Sequence, residues 1–350
     1  MTVELSDFLH QLIINPTLTI TVILTLGVIF VNGWTDAPNA IATCVSTRAL
    51  HPQDAIIMSA VFNFLGVLVM TLFNWKVVQT IYNMVDFGDN SKDALVSLCS
   101  ALFSIILWAT IAWWFGIPTS ESHALIAGIT GAAMAVQGGL SAVNAEEWIK
   151  VIYGLVLSVF LSFPLGWSIV KVVEFSFRDV SQKKTSVFFN YAQIFGGAGM
   201  SFMHGAQDGQ KFIGVFLLGT YLSSGRMDIA ELYIPSWLIL LCSLVMAVGT
   251  SIGGYRIIKA VGIDMVKLKK HQGFSADLAA VISLFIASIF GLPVSTTHVK
   301  TTAIMGVGAA KNLSRVKWGF VKDIVSAWLL TFPFCGIMGY LMATVFMRLF

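Results

Sequence analysis

The stretch Asn32-Gly33-Trp34-Thr35-Asp36-Ala37-Pro38-Asn39-Ala40-Ile41 returns, altered, as His204-Gly205-Ala206-Gln207-Asp208-Gly209-Gln210-Lys211-Phe212-Ile213. Both copies hold a Gly, an Asp three residues on and an Ile five beyond that. Two further pairs follow in the same order. Gly116-Ile117-Pro118-Thr119-Ser120-Glu121-Ser122-His123 matches Gly291-Leu292-Pro293-Val294-Ser295-Thr296-Thr297-His298, and Leu161-Ser162-Phe163-Pro164 matches Leu330-Thr331-Phe332-Pro333. The offsets are 172, 175 and 169 residues. Near-constant offsets in a fixed order are the mark of an internal duplication. The chain therefore divides into a first repeat over 1–175, a short linker over 176–186 and a second repeat over 187–350.

The medium around these repeats is lipid. Of the 350 residues, 57% are apolar and 11% charged, against about 25% charged in a soluble domain. Stretches free of Asp, Glu, Lys and Arg cover 8–35, 55–75, 94–120, 151–170, 186–207, 232–255, 278–299 and 324–347. Each reaches the roughly 20 residues that cross a bilayer as a helix. The short alternating strands of a membrane barrel are absent. The fold class is thus an all-α polytopic membrane protein with about 10–12 hydrophobic segments. The first segment does not read as a cleaved signal, because Glu4 and Asp7 precede it and it is too long. Net charge is +3 with no basic tract suited to nucleic acid. Cys44, Cys99, Cys242 and Cys335 lie in apolar segments without paired spacing and read as buried free thiols.

Loop charge orients the repeats. Segments 171–184, 255–272 and 311–322 are basic, and the positive-inside rule places them in the cytoplasm. Their first-half counterparts differ: 74–93 carries Asp86, Asp89 and Asp93, and 138–149 carries Glu146 and Glu147. These segments and both termini read as external, so the repeats are inverted. Inverted repeats are an architecture of secondary transporters, whose sites lie near mid-membrane on broken helices. The paired motifs supply such breaks. Pro38 interrupts one segment, Gly-x-Pro interrupts two more, and 41–50 and 212–222 are half-helix length. If 184 and 255 share a side, a broken or re-entrant segment must lie around 205–222.

Asp36 and Asp208 are the sharpest candidates. A carboxylate at bilayer depth costs about 2.5–3.5 kcal/mol on the lenient scale, so it needs a cation, a proton or a base. Each has amides beside it: Asn32 and Asn39 for Asp36, Gln207 and Gln210 for Asp208. Carboxylate and amide oxygens are hard donors suited to sodium or proton exchange. The plainer alternative is a structural ion pair or helix cap. In the second motif, Ser120, Ser122, His123, Ser295, Thr296, Thr297 and His298 surround helix starts whose free N–H groups suit a small oxyanion. Here the plainer alternative is capping at a kink. Ser122-His123 and Thr297-His298 also admit a nucleophile reading, but i and i+1 side chains do not face each other on a helix. Glu121, with no acidic counterpart, reads as a third titratable group, an ion-pair partner or a lipid-edge residue. Lys211 and Lys300 either partner Asp208, Glu121 or the substrate, or snorkel to the interface. The glycines of 128–139 and 196–199 read as close helix contacts.

At these motifs the chain resembles the inorganic phosphate transporter family. That family's Gly-x-x-Asp-x-x-Asn appears as Gly33 through Asn39, and its His-Gly-[Ala/Ser]-Asn-Asp-Gly-Gln-Lys as His204 through Lys211. Val61-Phe62-Asn63-Phe64-Leu65-Gly66 is typical of a bacterial subgroup. The resemblance implies symport of phosphate into a prokaryotic cell across its inner (cytoplasmic) membrane, driven by sodium or protons with no other cofactor, by alternating access and commonly as a homodimer. It also implies that Asp36, Asn39 and Asp208 hold the cation, and that Ser120, Ser122, Ser295, Thr296 and Thr297 hold phosphate. Gln207 stands where Asn is usual, Glu121 where Ser is usual, and the central loop is short. Sulfate or another oxyanion is the alternative cargo. An intramembrane hydrolase or an anion channel is the reading outside that class; the resemblance implies no enzyme.

Overall fold

A computed structural model describes residues 4–88, 90–223 and 233–349. Asp89, used above for loop charge, and Leu232, at the start of an apolar stretch, lie outside the described residues. The described chain is almost wholly helical. After a short α1 (Leu5–Ile14), the first half runs α2 (Pro16–Thr35), α3 (Pro38–Ser46), α4 (Pro52–Phe73), α5 (Lys76–Asn83), α6 (Ser91–Trp114), α7 (Glu121–Gln137), α8 (Ala145–Phe160) and α9 (Ser162–Ser176). The second runs α10 (Gln182–His204), α11 (Gln210–Ser223), α12 (Ser236–Ile252), α13 (Tyr255–Lys259), α14 (Lys270–Ile289), α15 (Thr296–Lys311) and α16 (Trp318–Leu349).

The second order repeats the first. The pair α2–α3 returns as α10–α11, α4 as α12, α6 as α14 and α7 as α15; α8 with α9 spans 32 residues, as α16 does. By length and composition six helices among the described residues can cross a membrane, or seven if the bent pair Ser236–Ile252 and Tyr255–Asp264 is one span. The remaining helices fall short in length or in apolar character. Large apolar side chains such as Phe73, Phe195 and Leu329 face outward, as lipid contact requires. The protein is a multi-pass membrane protein.

Local sequence sets each break. Pro16, Pro38 and Pro52 each start a helix, where a missing N–H is harmless. Gly116 and Gly291 adopt left-handed φ of 68° and 69°, each two residues before a proline. A side chain strains there, so the two Gly-x-Pro motifs make the same sharp turn into α7 and α15. The break at 205–209 takes another form: a π-helical turn joins α10 to α11 without a gap.

The halves interlock reciprocally. Here α2 packs on α12 and α10 on α4, while α7 packs on α16 and α15 on α9. Glycines make these crossings possible. A Cβ on Gly33 or Gly249 would strike the backbone of the α12–α2 partner, and one on Gly205 or Gly66 that of the α4–α10 partner. Gly131 likewise abuts the carbonyl of Gly336. Gly197 lies on Cys44. Small residues at membrane crossings let backbones approach closely. All four cysteines are free and buried.

Candidate functional site

The two breaks that carry Asp36 and Asp208 meet the starts of α7 and α15 at the centre of the bundle. Asp36 follows the last residue of α2, and Asp208 sits in the π turn. Both are buried. Asp36 accepts hydrogen bonds from Asn39 Nδ2 at 2.6 Å, Thr296 Oγ1 at 3.3 Å and Thr297 Oγ1. Asp208 accepts from Lys211 Nζ at 2.6 Å, Thr296 Oγ1 at 3.1 Å, Ser122 Oγ at 3.4 Å and Asn32 Nδ2 at 3.5 Å. Thr296 thus lies between carboxylates that are 172 residues apart in the chain. Lys211 also donates to Ser122 Oγ at 2.6 Å and to the Val294 carbonyl at 2.5 Å. It is fully buried, so it pairs inside rather than snorkelling.

His204 joins this group, although sequence reading assigned it no role. Its Nε2 lies 3.3 Å from Asp208 and 3.9 Å from Asp36, while its Nδ1 meets Asn63 Oδ1 at 3.0 Å. The signal was present: His204 stands four residues before Asp208, hence on the same helix face. Ligand atoms of Asp36, His204 and Asp208 all lie within 4.8 Å of one another, spacing that suits one cation. Further oxygens are at hand. Asn32 Oδ1 and Asn39 Oδ1 are buried and have no hydrogen-bond partner among the described residues. Buried acceptors left unpaired are costly, and a hard cation would satisfy them.

The second motif places its residues in two layers. Ser120 and Ser295 cap α7 and α15, accepting from His123 N and His298 N, each at 3.2 Å. The capping alternative therefore holds for these two side chains. Ser122, Thr296 and Thr297 point into the carboxylate network. His123 and His298 do not: their rings meet edge to face with centroids 4.3 Å apart, and His298 lies against Trp328. Expected at the anion, they form instead an aromatic contact behind the helix starts.

Other expected residues also turn elsewhere. Gln207 donates to Ser288 Oγ at 2.8 Å and the Leu292 carbonyl at 3.4 Å, rather than lying on Asp208. Its extra methylene gives it that reach. Gln210 donates to the Asn74 carbonyl at 2.6 Å. Glu121 is buried and accepts from Thr35 Oγ1, which excludes a lipid-edge position. Beside it a narrow crevice is lined by Thr35, Asn39, Trp113, Pro118 and Ile257. Lys300 reaches none of the partners expected for it; it pairs with Asp277 in α14, an intramembrane acid the sequence reading passed over. Asp277 borders a charge-free stretch and has no counterpart in the first half of the sequence.

Comparison with known proteins places the chain in a family. The profile of the phosphate transporter family matches residues 32–339. A probable low-affinity inorganic phosphate transporter of Bacillus subtilis is 39% identical over 91% of this chain and 93% of its own length. A second, from Rhizobium meliloti, is 37% identical over 89% and 91%. A solved sodium-dependent phosphate transporter superposes with a TM-score of 0.83 at 24% identity, covering 96% of this chain and all of its own. That likeness speaks to the fold.

Proposed function

The chain belongs to the phosphate transporter family, and from that premise we propose that it carries inorganic phosphate into the cell by cation-coupled symport. The observation that carries this reading is the sharing of donors between Asp36 and Asp208 and the start of α15. Thr296 and Thr297 give their protons to the two carboxylates, and Lys211 spans Asp208 and Ser122. A cation between the carboxylates satisfies the same oxygens, with Asn32 and Asn39 supplying more. The hydroxyls are then free to turn to an anion. The first-turn N–H groups of α7 and α15 that the Ser120 and Ser295 caps do not take add donors for it. The oxygen-rich donor set favours sodium.

Alternating access is the motion this arrangement fits. The site sits between two halves of like element order, held by reciprocal helix contacts. We take the halves to be inverted, with both termini external, in the cytoplasmic membrane. One structural feature supports a common side for the basic segments. A cavity is lined jointly by Glu174, Lys269, His271 and Lys311, which come from all three of them.

Uptake of labelled phosphate into proteoliposomes tests the proposal, with an inward sodium gradient at fixed pH and a pH gradient at fixed sodium. Uptake should follow one of the two gradients. Indifference to both removes symport. Stronger suppression by excess sulfate than by unlabelled phosphate reassigns the cargo.

A further inference from the structure

A second buried charge pair lies one helical turn from the first site. Asp277 in α14 and Lys300 in α15 are both 0% exposed. The Lys300 ammonium donates to Asp277 Oδ1, to Thr43 Oγ1 at 3.1 Å and to the Ala40 carbonyl at 3.2 Å. Its three protons thus meet one carboxylate, one hydroxyl and one main-chain carbonyl. Lys211 meets the same three classes of oxygen: Asp208, Ser122 and Val294. The cage around Lys300 is itself fixed. Thr43 donates to Asp277 at 2.8 and 2.9 Å, and Gln193 Nε2 donates to Asp277 Oδ2 at 2.5 Å.

An ammonium is a compact, strongly hydrated point charge. Oxygens that satisfy it in a dry interior are those that satisfy a hard metal cation. Placement ties the cage to transport. Thr43 stands four residues beyond Asn39 on α3, and Lys300 four beyond Thr296 on α15. Each step is about 6 Å along its helix. One pair of helices therefore presents two cation-shaped sets of oxygens in succession.

We propose that the Asp277 cage is a monovalent-cation site permanently filled by Lys300, which makes Lys300 a determinant of how many free cations accompany each phosphate. A tethered charge stabilises α3 against α15 as an ion would, yet never leaves. The consequence for stoichiometry rests on the symport reading; the existence of the cage does not.

The test uses the purified full chain. Sodium chloride is titrated against choline chloride at equal ionic strength, and the apparent Tm is read for wild type, Lys300→Ala and Lys300→Met/Asp277→Leu. The double variant replaces the pair with apolar side chains of similar size, a change buried pairs commonly tolerate. Lys300→Ala should show a saturable sodium-dependent rise in Tm several degrees beyond any wild-type response, absent from the double variant. Recovery of folded Lys300→Ala only in sodium supports the same conclusion. An equal sodium response in all three proteins overturns the proposal. So does a Lys300→Ala protein that folds in neither salt while the double variant folds. In proteoliposomes the sodium dependence of phosphate uptake should steepen by one ion in Lys300→Ala. An unchanged slope removes the role in stoichiometry. Because the Tm arm needs no transport, its outcome is independent of whether symport itself stands.

Discussion

Replacing the two carboxylates one at a time separates their roles. Asp208→Asn keeps an oxygen beside Lys211 but removes the counter-charge from an ammonium with 0% exposure. Stripping one partner from a buried pair costs about 3–5 kcal/mol. Asp36 has no lysine or arginine on it; its nearest basic atom is His204 Nε2 at 3.9 Å. Asp36→Asn disturbs only hydrogen bonds from Asn39, Thr296 and Thr297, a loss of about 1–3 kcal/mol. At roughly 2 °C per kcal/mol for a long chain, the apparent Tm should fall by roughly 6–10 °C in Asp208→Asn and about 2–6 °C in Asp36→Asn. Both variants should lose cation-coupled uptake while remaining folded. Adding Lys211→Met to Asp208→Asn removes the stranded ammonium and should recover most of the Tm without recovering uptake. Tryptophan fluorescence melts in detergent, with phosphate uptake from the same preparations, read all of this. Equal stability of Asp208→Asn and wild type would sink the pairing argument. Wild-type coupled uptake in either single variant would sink the cation-site assignment.

Gly131→Val should separate α7 from α16, because a Cβ there meets the Gly336 carbonyl; overpacking of this kind costs about 1–3 kcal/mol, seen as a lower Tm. Thr297→Val removes a donor to a carboxylate, worth about 1.5–3 kcal/mol, and should cut uptake at subsaturating phosphate by about tenfold or more. Thr301→Val makes the contrast: its hydroxyl is buried without a partner among the described residues, so uptake and Tm should stay at wild-type values or the Tm rise slightly. A cysteine at Asp86 should react with an impermeant maleimide from outside the cell, and one at Lys267 only from inside. The reverse pattern would overturn the orientation.

Much of this was legible because membrane burial makes each polar residue informative. Duplication located Asp36 and Asp208, and Gly116 and Gly291 marked the turns into α7 and α15. What stayed hidden was side-chain direction. His123 and His298 share a motif with Ser122 and Thr297, yet one residue along a helix turns the side chain by about 100°. They therefore back the site instead of lining it. Gln207 was equally opaque, since its extra methylene lets it reach Ser288 rather than Asp208, its neighbour in the chain. Asp277 and Lys300 are 23 residues apart on different helices. Only tertiary packing joins them, and Asp277 has no first-half copy to draw attention to it.

The asymmetry of the two halves bears directly on coupling. Asp208 has Lys211 and Asp36 has no lysine, so the duplicated acids differ in charge balance. Under the proposed reading, the net negative charge lies on the Asp36 side, among Asn39, Thr296 and Thr297, and a cation entering there has the most to gain. Its arrival would release Thr297 from Asp36, and Thr296 with it, at the first turn of α15 where an oxyanion would sit. Cation affinity and anion affinity are then tied through the same two hydroxyls. Thermodynamic linkage requires that coupling to be mutual: phosphate taken by Thr296 and Thr297 leaves Asp36 short of donors and so tightens its hold on the cation. Lys211 contributes the opposite constraint. Tethered at Asp208, it keeps that carboxylate balanced throughout, which leaves Asp36 as the acid whose ligand changes during the cycle.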